Sequence, residues 1–366
     1  MAGDVVTPNP PHRPLPKDVE PASTFTLPET PTVRSLARAL NLSPTTVSEA
    51  LRGVPRVRPA TRELVRAAAD AASYRLNPLA SAVMSEIRRS RRGLFRGMLA
   101  ATTLDEADRP VVANVFFRGI IAGARQRAQE LGFGLERFVI GRNGVRLPRL
   151  DNILHSRGIR GLILLPAWDS PDFSKLDWSR YAGVYTDYII ERPALHAVCA
   201  DHFRSMMGAL QRLHGRGYRR PGLFLQRQQD ERLQHRWEAA FLAHQHHATG
   251  LDVVPPLISE TIDRDLFCDW FRTHQPDVVL GHDCAALEWM QACGAKVPQT
   301  HGFFCLNVAP SAAVCAGLDL QPELIGARAA EIVIGELHHN QIGIPDNPSL
   351  TTLLGRWVDG PTLRAA

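Results

Sequence analysis

The sequence predicts an all-α helix-turn-helix unit joined to an α/β body of two parallel-sheet lobes. Three observations predict it. Positive charge is concentrated: residues 32–92 hold twelve Arg and no Lys against Glu49, Glu63, Asp70 and Glu86, a local net charge of +8, although the whole chain carries only +5. The same segment breaks into short capped helical runs separated by turn residues. From about Arg96 onward, apolar strand-like runs alternate with amphipathic helices, the pattern of parallel sheets covered on both faces.

Composition narrows the class. At 366 residues the chain exceeds what one domain usually holds. Hydrophobic residues at 45% and charged residues at 22% exclude a wholly disordered or collagen-like chain. No apolar run approaches the ~18–20 residues that cross a bilayer, so no membrane partner is expected. Residues 1–16 lack the basic-then-apolar pattern of a secretion signal, and the expectation is a cytoplasmic protein. Cys199, Cys268, Cys284, Cys293, Cys305 and Cys315 form no CxxC pair. Reduced, mostly buried thiols are expected, with no cofactor and no metal site.

Residues 1–31 hold eight prolines and few apolar side chains, too few to offset chain entropy, and read as a disordered tail. Thr32 can cap a first helix over 33–39, with Val33, Leu36 and Ala37 on one face. Asn41 suits the left-handed backbone of a tight interhelical turn. Ser43 caps and Pro44 opens a second helix that runs to Leu51, with Gly53 beyond its end. Val47, Ala50 and Leu51 face inward there, while Thr45, Thr46, Ser48 and Glu49 stay available. A third helix runs from Pro59 to about Ser73 and packs Leu64, Val65 and Ala68. Two short helices across a tight turn, braced by a third, form a helix-turn-helix, which lays its second helix in the DNA major groove. The basic field fits a polyanion partner; the alternative is a solvated basic face.

Asn77 and Pro78 can open a fourth short helix with Leu79, Ala80, Val83 and Met84 on one side. So short a helix is marginal alone. It either packs against the body or wedges apolar side chains into a minor groove. The body follows, with strand-like runs at 98–102, 161–165, 222–225, 278–280 and 303–306. Helix-like runs fall at 116–131, 205–214, 232–244 and 322–337. Domains are expected at 1–31 (tail), 32–76 (helix-turn-helix), 77–93 (hinge helix and linker) and 94–366 (two-lobed body).

The run TVRSLARALNLSPTTVSEALRGVPRVRPATRELVRAAADAASYRLNPLASAVM strongly resembles the headpiece of the lac repressor-like (LacI/GalR) transcription regulators. The matching pieces are Ala37, Leu42-Ser43, Thr46-Val47-Ser48, Leu51, Gly53, Val57, Thr61-Arg62, Tyr74, Asn77-Pro78 and Ala80, over some 50 residues without a gap. The body resembles the family more loosely, through Phe116-Phe117, Gly123, Gly132-Phe133, Gly158–Pro166, Asp201, Leu213–Arg220, Pro276–Asp283, Gln321-Pro322 and Gly326.

The resemblance implies a periplasmic-binding-protein-like effector domain whose two lobes are linked by three chain crossings. It also implies a cleft ligand, and homodimers that hold two headpieces on a double-stranded DNA operator. The expected function is a regulator, a repressor rather than an enzyme, gated by a sugar or sugar derivative. The implied DNA-contacting set is Thr32, Ser43, Pro44, Thr45, Thr46, Ser48, Glu49 and Arg52, with Asn77, Ala80, Val83 and Met84 in the hinge. Glu49 departs from the Arg common there. A carboxylate only accepts, for instance from cytosine N4, so Glu49 either alters operator preference or points to solvent. Val83 is smaller than the family's usual Leu.

Polar residues just after strands are where cleft ligands bind in open α/β folds. The candidates are Asn114, Trp168, Asp187, Asp201, Asp283 and Asn307, with Trp168 able to stack on a sugar face. Asp187 and Asp201 read equally as helix caps. The family's cleft Arg is not cleanly matched: Trp237 falls in register and Arg236 precedes it. His244-His246-His247 and His338-His339 read as surface histidines, since no acidic or Cys partner lies at helical register. Cys284 and Cys293 read as small apolar residues. Neither G-x-S-x-G nor a Walker motif is present. The competing class is a small-molecule-binding or enzymatic α/β protein whose basic helices serve RNA or an acidic protein.

Overall fold

The computed structural model describes residues 33–51, 57–72, 96–107, 109–110, 113–168, 171–188, 192–309 and 314–365. The chain divides into two compact units, Met1–Asn77 and Pro78–Ala366.

The first unit holds α1 (Val33–Ala39), α2 (Pro44–Leu51) and α3 (Pro59–Ala71). Asn41 adopts φ 52°, and its amide and that of Leu42 close back onto the carbonyls of Arg38 and Ala37. This paired closure satisfies the last carbonyls of α1 and turns the chain. Ser43 Oγ then accepts from the Thr46 amide at 3.0 Å and lies 2.8 Å from the Thr46 hydroxyl, while Pro44 opens α2. Leu36, Ala37, Val47, Ala50, Val57, Val65 and Ala69 form the core. Leu64 differs from expectation: it is 53% exposed, because Val65 and Ala69 take the inward stripe of α3.

The second unit carries two six-stranded sheets. The first lobe is ordered β2-β1-β3-β4-β5-β11, from β1 (Gly97–Leu104), β2 (Phe133–Ile140), β3 (Gly161–Leu164), β4 (Ala182–Tyr185), β5 (His196–Asp201) and β11 (Leu350–Leu354). The second is ordered β7-β6-β8-β9-β10-β12, from β6 (Pro221–Gln226), β7 (Leu257–Ser259), β8 (Val278–Gly281), β9 (Gly302–Cys305), β10 (Ala316–Asp319) and β12 (Arg356–Val358). All pairings are parallel except that of β10 with β12. β3, β4, β8 and β9 are buried throughout, as strands covered on both faces must be.

Helices α4 (Ala113–Glu130), α5 (Leu147–Ser156) and α11 (Pro322–His339) belong with the first lobe. Helices α6 (His202–Gly215), α7 (Arg227–Glu231), α8 (Arg236–His247), α9 (Arg264–His274) and α10 (Ala286–Ala292) belong with the second. The helix expected over 232–244 starts later, at Arg236, as α8, and 232–235 form a turn after α7. Gln234 and His235 both take left-handed backbone, φ 55° and 56°, and break the run. α4 and α11 cross at glycines: a Cβ on Gly123 would fall 1.8 Å from the Glu323 carbonyl oxygen, and one on Gly326 1.9 Å from that of Ile120. Among the described residues no helix is long and apolar enough to cross a membrane.

The chain passes between the lobes three times: at Asp201-His202, at Leu320-Gln321 and at Gly355. The crossings are tied together. The Gly355 amide donates to Ser205 Oγ at 2.8 Å, Gln321 Nε2 donates to the Leu354 carbonyl at 2.7 Å, and Thr352 Oγ1 donates to Asp201 at 3.2 Å.

Candidate functional site

Each lobe repeats one strand order, with its topological switch between β1 and β3 in the first and between β6 and β8 in the second. Crevices outside the carboxyl ends of such strands are where open α/β sheets hold ligands. A cavity of about 720 Å³ lies there, walled by both lobes. The first lobe supplies Phe116, Phe117, Trp168, Thr186 and Asp187; the second supplies His202, Gln226, Gln229, Arg232, His282, Asp283, Glu288, Trp289 and Asn307.

Trp168, Asp187, Asp283 and Asn307, expected from the sequence, all line this cavity. The Trp168 amide donates to Glu106 Oε1 at 2.7 Å. Glu106 is ion-paired to Arg109, whose guanidinium lies 4.5 Å over the Phe117 ring. This chain of contacts holds the indole in place. Asp187 receives the Tyr188 amide at 2.8 Å and pairs with Arg232 at 2.5 Å. Burial raises the Asp187 carboxyl and the neighbouring guanidinium opposes that shift. Asp283 accepts from the Ala285 amide and Asn307 from the Ala309 amide, which fix two loop side chains at the rim.

The other four expected residues lie outside the lining. Asn114 is exposed in the first turn of α4. Asp201 is the N-cap of α6, accepting from the Arg204 amide at 3.0 Å. Trp237 is fully buried, edge-on to His202 at 4.8 Å and to His282 at 5.9 Å, so it supports the wall from behind. Arg236 stacks on the Tyr188 ring at 4.2 Å. The arginine in the cavity is Arg232, which sequence reasoning missed. It lies 5.2 Å over the Trp168 ring and donates to the Ala167 carbonyl at 3.1 Å. The break at Gln234-His235 leaves Arg232 in a turn instead of on α8. His244 also differs from a surface reading, being buried in α8, while His246, His247, His338 and His339 are exposed.

Two histidines face the cavity as neutral groups. Burial first, then His282 and the nearby arginines, push His202 down to about 3. Burial and Arg232 push His282 down to about 4, against an opposing pull from Cys284. Buried Trp168 Nε1, Arg232 Nε and His202 Nδ1 have no hydrogen-bond partner among the described residues. Orphaned buried polar atoms cost about 1–3 kcal/mol each. The cavity therefore offers aromatic faces, one paired cation, carboxylates and unused polar atoms, the chemistry that suits a hydroxyl-rich ring.

Of the expected DNA-contacting residues, Ser43, Pro44, Thr46, Ser48 and Glu49 lie at or on α2, with the last three half-buried. Thr45 is on the same helix, and its side chain lies outside what is described. Thr32, Arg52, Asn77, Ala80, Val83 and Met84 also lie outside the described residues.

Residues 210–356 match the family model for a periplasmic binding protein-like domain. A curated relative, the HTH-type transcriptional regulator CelR of Thermobifida fusca, is 29% identical over 195 residues, covering 52% of this chain and 54% of that protein. The chain thus matches about half the length of that relative. Among solved structures it is similar to a transcriptional regulator CelR–cellobiose complex, at 21% identity, 91% of this chain, 99% of that one and a TM-score of 0.54. It is also similar to the lac repressor dimer bound to operator and the anti-inducer ONPF, at 14% identity, 92% and 100% coverage and a TM-score of 0.51. Both relatives named CelR are described as transcriptional regulators, and the third is a repressor. The protein therefore has the two-lobed fold of those regulators, the fold that the lac repressor-like (LacI/GalR) resemblance of the sequence implies.

Proposed function

We propose that the protein is a cytoplasmic, sequence-specific DNA-binding transcription regulator, a repressor acting as a homodimer, whose hold on its operator is set by a carbohydrate in the interlobe cavity. One observation carries the reading: Arg232 and Asp187 meet across the cavity beside Trp168, so a ligand there touches both lobes at once. A ligand shifts the lobes only by binding one arrangement better than the other. The relative solved with cellobiose supports a sugar as the first class to try. The second helix of the headpiece reads base edges, Glu49 alters operator preference, and the arginine-rich segment holds phosphates.

The test is a gel shift on source-genome fragments, with and without cellobiose and related oligosaccharides, paired with calorimetric titration of the sugar. The expected result is sequence-selective binding that falls steeply with salt, and a sugar that both binds and alters the shift. Trp168→Ala should weaken that sugar about tenfold, the size of a lost aromatic contact. DNA binding without sequence preference overturns the regulatory reading. Selective binding that no sugar alters overturns the carbohydrate part alone.

A further inference from the structure

We propose that Cys284, Cys305 and Cys315 form a three-thiolate site for a thiophilic d10 cation, Zn2+ or Cu+, in the second lobe. The sequence offers no metal spacing, since these cysteines are 21 and 10 residues apart. The sheet brings them together. Cys305 ends β9 and pairs in register with Gly281 of β8 on one side and Gly317 of β10 on the other. Neither neighbour has a side chain, and the Phe224 ring fills the place of one at Gly281. A Cβ on Gly317 would fall 2.3 Å from the Cys305 carbonyl oxygen, so β9 and β10 approach closely there. Cys284, three residues past Gly281, and Cys315, two before Gly317, take the space beside Cys305.

The three sulfurs lie within 4.8 Å of one another, and Cys284 Sγ is 3.6 Å from Cys315 Sγ. Sulfurs held at about 2.3 Å around a tetrahedral zinc are about 3.8 Å apart, so the spacing needs little adjustment. Three clustered sulfurs select soft cations over Mg2+ or Ca2+, with the Asn307 carbonyl oxygen beside them, 3.1 Å from Cys305 Sγ. Cys305 and Cys315 are buried, whereas Cys284 is half-buried and lines the interlobe cavity, which gives an ion its route in.

Without a cation the Cys305 thiol holds its proton: hydrogen bonds shared with Cys284 and Cys315, and then burial, push it up. Each sulfur that binds releases its proton to solvent, so affinity falls as pH drops. The regulatory reading is not required for any of this.

Reduced full-length protein, kept anaerobic, is titrated with Co2+ and then with Zn2+ alone. The expected result is a thiolate-to-cobalt charge-transfer band that saturates at one equivalent, is displaced by Zn2+ and is accompanied by proton release. Cys284→Ser, at the half-buried position, should weaken Zn2+ at least tenfold with the melting temperature of the metal-free protein retained. Cys268→Ser/Cys293→Ser removes the other close cysteine pair, 2.7 Å between sulfurs, and should leave the band unchanged. Zinc-edge X-ray absorption on the wild type should count three sulfurs, which keeps the test valid where a variant unfolds. No band in the wild type, a band that survives Cys284→Ser or is lost with Cys268 and Cys293, or fewer than three sulfurs at zinc would each overturn the site.

Discussion

Arg232 of the second lobe donates to Asp187 of the first, Nη2 to Oδ2 at 2.5 Å, and the same guanidinium reaches the first lobe again at the Ala167 carbonyl. Both side chains are largely withdrawn from water. Removing one partner of such a pair strands a buried charge and costs about 3–5 kcal/mol. Arg232→Ala should therefore lower unfolding stability by roughly that amount in urea denaturation. Asp187→Asn/Arg232→Gln, which strands no charge, should recover at least half of the loss. Strictly additive single effects would show that the two residues do not act as a pair.

In the first unit, Ser43 Oγ holds the first turn of α2 through the Thr46 amide. Losing such a cap costs about 1 kcal/mol, or about a fivefold rise in the local opening constant. Ser43→Ala should speed hydrogen exchange of the α2 amides about fivefold, with α9 amides unchanged. Glu49→Arg should shift the operator sequences recovered by selection from genomic fragments toward guanine at one position. An unchanged selected sequence would mean that Glu49 reads no base.

The α4–α11 crossing places backbone against backbone at Gly123 and Gly326. Neither contact can be relieved by turning a side chain, so a methyl group must push the helices apart. Gly326→Ala should destabilise the second unit by about 1–3 kcal/mol, the usual range for overpacking. Gly335→Ala is the control on the same helix, because a Cβ there meets nothing within 4 Å. It should be neutral or slightly stabilising by helix propensity. Thermal unfolding of the two variants side by side decides the point.

The three-helix first unit was legible because its signals are local. Asn41 and Ser43-Pro44 act on their own turns, and α1 and α2 fall over the expected residues. The two-sheet body was legible from runs such as 278–280, which become central strands. The cavity was only half legible. Trp168, Asp187, Asp283 and Asn307 follow strands directly, so strand ends locate them. Arg232 depends on two successive left-handed residues, Gln234 and His235, and of these only His is of a type enriched in that backbone, too weak a signal to place a break. The Cys284–Cys305–Cys315 cluster depends on register between strands, which sequence spacing does not encode.

His202 makes one part of the second unit acid-sensitive. It is 7% exposed, packed edge-on against Trp237, and its pKa falls from the ordinary 6.5 to about 3. Between those values the unfolded chain binds a proton at this residue and the folded chain does not. The His202 contribution to stability is therefore full above pH 6.5 and is lost as pH drops toward 3, by about 1.4 kcal/mol per unit, while Glu336, raised to about 7 by burial, acts in the opposite direction. At pH 5 the loss is about 2 kcal/mol from His202, with His282 adding in the same direction. Asp187 acts oppositely, because its raised carboxyl takes up a proton in the folded state first and so gains stability as pH falls toward 3.8. His202→Phe keeps an aromatic ring against Trp237 but cannot titrate. Urea denaturation at pH 7 and pH 5 should show the wild type losing about 2 kcal/mol more than the variant over that interval. Equal losses would mean that the imidazole already carries its proton in the folded protein.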